Sequence, residues 1–82
     1  MDMKAAENFR INLRVALESR DMTQQQVAQL GQMSLAYVNR VLRGHTNPSL
    51  DQCERLARAV SFPLIALLTS PEQFADSVLI QS

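Results

Sequence analysis

Thr23, Ser34 and Ser49 each stand just before a run of helically spaced apolar residues, and this punctuation cuts the middle of the chain into short helices. The side-chain oxygen of such a residue accepts a hydrogen bond from a backbone N–H that the first helical turn leaves without a partner. After Thr23, Gln26 completes a capping-box pattern, and Val27, Ala28 and Gly31 fall on one side. After Ser34, Val38, Val41 and Leu42 form the next stripe, and Gly44 stops it. After Ser49, the stripe is Leu50, Cys53, Leu56, Ala57 and Val60. Asp51 suits the positive end of that helix, and Arg55 and Arg58 lie nearer its negative end.

The flanks follow the same logic. Phe9, Leu13, Ala16, Leu17 and Arg20, widened by Ile11 and Val15, predict a first helix that Asp21-Met22-Thr23 breaks. Pro63 fits the first turn of a short fifth helix, Leu64 to Leu68. Ser70-Pro71-Glu72 looks like another helix start, and Phe74, Val78 and Leu79 have helical spacing. The run Val-Leu-Ile at 78–80 fits a short terminal strand equally well. No hairpin signal such as Asn-Gly appears. The expected fold is all-α: five short helices and a C-terminal tail.

A chain of 82 residues holds one small domain, and a core of that size is marginal unless helices pack well or a second subunit helps. With 46% hydrophobic and 20% charged residues, the composition is not that of a disordered segment. No apolar run approaches the roughly 20 residues that cross a bilayer. The start, MDMKAAENFR, lacks the basic and apolar regions of a secretory signal, so a cytoplasmic protein with no membrane association is expected. Cys53 and His45 are each the only residue of their type, too few for a disulfide framework or a metal site. Cys53 falls on the apolar side of its helix and reads as core. With no recognisable catalytic constellation, no enzyme activity, metal or cofactor is expected.

The formal net charge is zero, which alone argues against nucleic acid, but the charges are unevenly placed. Met22 to Leu50 contains no Asp or Glu, yet holds Arg40, Arg43 and His45. Ala59 to Ser82 contains no Lys or Arg, yet holds Glu72 and Asp76. A phosphate backbone meets the local field, not the net charge. At about 100° per residue, Val38, Val41 and Leu42 span one side of the third helix, and Ala36, Asn39, Arg40 and Arg43 span the other. Asn can bond an adenine edge at two points, Arg can do the same with guanine, and Ala can meet a thymine methyl. Two short helices joined by a tight turn, the second one basic, make a helix-turn-helix pattern.

Residues 23–68 resemble the Cro and lambda-repressor-like (XRE-type) helix-turn-helix family. The matching motifs are T-Q-x-x-V-A at Thr23 to Ala28, S-x-x-Y-V-x-R at Ser34 to Arg40, R-G-x-x-N-P-S at Arg43 to Ser49, and CERLARAV at 53–60, in the expected order. The resemblance implies a five-helix DNA-binding domain that dimerises on palindromic operators and places the second of its paired helices in the major groove. It puts Leu35, Ala36, Asn39 and Arg40 on base-reading positions. It puts Gln24, Tyr37, Arg43, His45, Thr46 and Asn47 where the family approaches phosphates. Tyr37 also reads as a residue packed between helices, and Leu35 as a cover for the edge of the core. The sequence departs from the family at two points. Glycine stands at Gly31, one place before the usual turn position, so either Gln32 accepts a strained conformation or the turn is shaped differently. Leu17 and Leu42 stand where many members carry a buried Arg–Glu pair, and replacing both charges with apolar groups can be neutral or stabilising.

The functional expectation is a sequence-specific regulator of transcription, a dimeric repressor or autoregulator of phage or mobile-element type, without its own ligand domain. Residues 1–70 would form the DNA-binding domain. Residues 71–82 would be a tail and candidate dimerisation segment. The expected dimer surface comprises Phe62, Leu64, Ile65, Leu68, Phe74 and Val78, joined by Leu79 and Ile80. The alternative is an antitoxin-like interaction module, which binds a partner protein as well as DNA through the acidic, apolar tail.

Overall fold

The computed structural model describes residues 3–81 as six helices: α1 (Met3–Ser19), α2 (Gln24–Gly31), α3 (Leu35–Leu42), α4 (Leu50–Ala59), α5 (Leu64–Leu67) and α6 (Pro71–Gln81). No strand occurs among these residues. Residues 1, 2 and 82 and the side chains of Met3, Ile80 and Gln81 lie outside what is described.

The expected caps are formed. Thr23 Oγ1 accepts from the Gln26 N–H while Gln26 Oε1 accepts from the Thr23 N–H, and Ser34 Oγ accepts from the Tyr37 N–H. Ser49 forms a second capping box, with Gln52. Pro63 sits at the N-cap of α5 rather than inside its first turn.

The first four helices end alike. Each is followed by a left-handed residue: Asp21 (φ 56°), Gln32 (φ 56°), Gly44 (φ 76°) and Ser61 (φ 61°). The next N–H along then reaches back to a carbonyl in the last turn: Met22 to Leu17, Met33 to Ala28, His45 to Arg40 and Phe62 to Ala57, at 2.9–3.1 Å. This is the Schellman arrangement, and it satisfies carbonyls that the helix end would otherwise leave bare. Only one of the four left-handed positions is glycine. Gln32 therefore does accept the strained conformation, and α2 and α3 meet in a turn of the usual shape. Gly31 remains helical, and a Cβ there would meet Met33 Cγ at an ordinary 3.4 Å. Gly31→Ala should gain helix propensity and Gln32→Gly should relieve left-handed strain. The double variant is expected to be about 1 kcal/mol more stable, raising Tm by roughly 4–8 °C. Calorimetry showing no rise would contradict this account of the turn.

One core joins the helices. α1 packs on α3, α5 and α6, α2 on α3 and α4, and α4 on α5. Its largest fully buried members are Phe9, Phe74, Leu13, Leu42, Leu56 and Leu67. Leu17 and Leu42, where the resemblance implies a buried ion pair, are both buried in it. Cys53 is buried too, and burial pushes its thiol pKa upward. Asn12, fully buried, donates from Nδ2 to the carbonyls of Leu67 (3.0 Å) and Thr69 (2.8 Å), tying α1 to the end of α5. Arg20 lies just past α1 and donates to the carbonyls of Val60 (3.1 Å) and Ser61 (2.9 Å), with its guanidinium 4.1 Å from the Phe62 ring centroid. It thus closes the far end of α4.

The expected tail is a helix belonging to this core. Ser70 Oγ accepts from the Gln73 N–H, Pro71 occupies the first helical position, and Phe74 is 1% exposed. Phe74 meets the edge of Phe62 (7% exposed) at 5.0 Å between ring centroids. Both rings were expected on a dimer surface. Each is instead covered within the monomer, because α6 folds back onto α1.

Candidate nucleic-acid interface

The turn at Gln32 fixes α3 against α2, and the buried residues Val38, Val41 and Leu42 fix which side of α3 faces outward. The outward side carries Ala36, Arg40 and Arg43, all exposed, and the half-buried Asn39. Leu35, at the start of α3, is 45% exposed, so much of its side chain is presented outward. No acidic side chain occurs between residues 22 and 50 to oppose an anion at this surface.

Two contacts hold the outward side chains in place. Asn39 Nδ2 donates to Gln24 Oε1 at 3.2 Å, which joins the start of α2 to the middle of α3. One amide N–H and the Asn39 carbonyl oxygen are left to meet a ligand. Arg40 lies with Cζ 5.9 Å from the Tyr37 ring centroid, within cation–π range, so the ring supports the guanidinium from beneath.

Tyr37 braces the helix. Its hydroxyl donates to Gln52 Oε1, and the same oxygen accepts from the Ser49 N–H. Burial, the first cause, and the nearby Cys53 raise its pKa, Arg40 opposing, so the phenol keeps the proton it donates. With that proton engaged, Tyr37 has none to offer a phosphate oxygen, and the packing role is the one observed.

The loop after α3 brings the remaining expected residues together. Arg43, His45 and Asn47 are exposed and Thr46 is half-buried, in the segment between the Gly44 turn and the Ser49 cap. Gln24, half-buried, borders the same surface through Asn39. Two neighbours were not anticipated. Gln52 has no sequence signal beyond its place three residues after Ser49. Arg10, on α1, lies against Gly44 on the flank of the loop, a proximity that only the tertiary fold creates.

Among the described residues no group of His, Cys, Asp and Glu could hold a metal ion, and no helix is long and apolar enough to cross a membrane. No curated protein matches the chain. A helix-turn-helix family model matches residues 13–67, from α1 to the end of α5, which is more than half of the chain. That span contains the whole outward surface of α3 and its supports, and the chain belongs to the Cro-type (XRE) helix-turn-helix family, as a DNA-binding regulator of transcription.

Proposed function

We propose that the protein is a repressor or autoregulator that binds a palindromic operator as a homodimer, with α3 in the major groove. The observation that carries this reading is the outward side of α3: an amide and two guanidinium groups, free of acid, on a helix braced at Tyr37 and Asn39. Asn39, with one N–H already given to Gln24, retains one donor and one acceptor, the pair that an adenine edge requires. Arg40, supported on Tyr37, suits the two acceptors of guanine. Ala36 and Leu35 offer apolar contact to a thymine methyl. Arg43, His45, Thr46 and Asn47 approach phosphates beyond the end of α3, and Gln24 does so at the start of α2.

The dimer surface is assigned to α5 and α6. Ile65 is 76% exposed, and Leu64, Leu68 and Val78 are half-buried around the core. Ile65 on α5 and Leu79 on α6, 73% exposed, leave open apolar surface for a second subunit to cover.

Selection of bound sequences from random duplex DNA tests the proposal. A palindrome is expected, with half-sites separated by about one helical turn, roughly 10 base pairs. Recovery of no enriched motif would defeat it. Arg43→Ala should weaken binding to every sequence alike and lower the salt slope by roughly 0.9, the signature of one lost phosphate contact. A changed base preference in that variant would move Arg43 from the backbone to the bases.

A further inference from the structure

A cleft of about 180 Å³ lies between α1 and the loop that follows α3, lined by Ala6, Glu7, Arg10, Gly44, Thr46 and Asn47 among others. Arg10 is half-buried there. Its side chain lies so close to Gly44 that a Cβ on residue 44 would stand 3.2 Å from Arg10 Cδ and 3.3 Å from Nε. The glycine therefore serves twice: it takes the left-handed φ of 76°, and its bare face lets an arginine rest across the turn.

Among the described residues Arg10 makes no hydrogen bond and no ion pair. Glu7 lines the same cleft but does not pair with it. A guanidinium carries five N–H donors, and those of Arg10, which meet no acceptor among the described residues and are not sealed from solvent, stay open to an acceptor from outside. Thr46 and Asn47, beside it, add a hydroxyl and an amide. Such a donor set, on the flank of a surface that meets a polyanion, matches one phosphodiester group.

We infer that Arg10, with Thr46 and Asn47, seats one phosphate of the DNA backbone beside the end of the recognition helix, which brings α1 into the interface. This rests on the DNA-binding reading above. Arg10 would fix the position of the helix on the duplex and carry no base information. Glu7 opposes the bound anion, so Glu7→Gln should tighten binding.

The test uses the selected operator duplex, with a single uncharged methylphosphonate placed at each backbone position in turn. Titrations at several salt concentrations compare the wild type with Arg10→Ala and Arg10→Lys. Arg10→Ala is expected to weaken binding to operator and random duplex alike, roughly tenfold, and to lower the salt slope by roughly 0.9. One methylphosphonate position should penalise the wild type and leave Arg10→Ala indifferent. Arg10→Lys should keep the slope while losing part of the affinity. An Arg10→Ala protein with the wild-type slope and methylphosphonate profile overturns the seat while leaving the DNA-binding reading intact. A wild type that prefers no duplex overturns that reading first. The methylphosphonate profile of the wild type needs no variant: if no position beside the end of α3 penalises binding, the seat is absent.

Discussion

Phe74→Ala is expected to destabilise the domain by about 3–5 kcal/mol, the usual range for emptying a buried phenylalanine site. The side chain is 1% exposed, and its ring meets Phe62, which in turn lies under the Arg20 guanidinium. Removing it leaves a void and withdraws the edge-to-face contact. The surrounding helices can close that void only by moving α6 relative to α1. Native domains are stable by only about 5–15 kcal/mol, so the variant should be close to unfolding at physiological temperature. Urea denaturation measures the loss directly, and a change below about 1 kcal/mol would mean that α6 is not integral to the core. Ile65→Lys is the contrasting variant. Ile65 is 76% exposed, so monomer stability should scarcely change, while sedimentation should show weaker self-association.

Combining Asn39→Ala with Arg40→Ala should abolish operator recognition while leaving general affinity for DNA. Each side chain, if it makes a good bidentate contact, contributes about 1–3 kcal/mol of base discrimination, roughly 5- to 150-fold. The two residues are neighbours on one helix, so a double-mutant cycle is needed to divide the effect. Neither side chain holds the core: Arg40 is exposed, and Asn39 bonds only to Gln24. The melting temperature should therefore stay near that of the wild type, and binding to random duplex should persist through Arg43 and the following loop. Retained preference for the operator in the double variant would show that the reading surface lies elsewhere.

Local signals were the readable ones. Thr23, Ser34 and Ser49 cap their helices because each needs only a neighbour three residues away, and such a bond is visible in the order of residues. The inward side of α3 was readable for the same reason, since the spacing of Val38, Val41 and Leu42 defines it. Leu35 was not, because it sits at the margin between two sides, where a small rotation of the helix decides its exposure. Residues 78–80 fit helix or strand alike, and contact with α1 decides for helix. Phe62 and Phe74 show the same limit. An apolar stripe announces that it will be covered, but not whether by its own chain or by another. Arg10 beside Gly44, and Tyr37 on Gln52, join residues distant in sequence, and nothing in either neighbourhood announces the partner.

The single amide oxygen of Gln52 accepts from both Tyr37 and the N–H of Ser49, so α3 and the start of α4 share one atom as their anchor. The loop between them is pinned at both ends before any DNA arrives. Its conformational entropy is then surrendered when the chain folds, and little remains to be lost on association. Gln52→Ala would hand that loss back to the binding step. Affinity should fall through a more unfavourable binding entropy, with the base preference unchanged, although Gln52 itself lies outside the surface proposed to meet the operator.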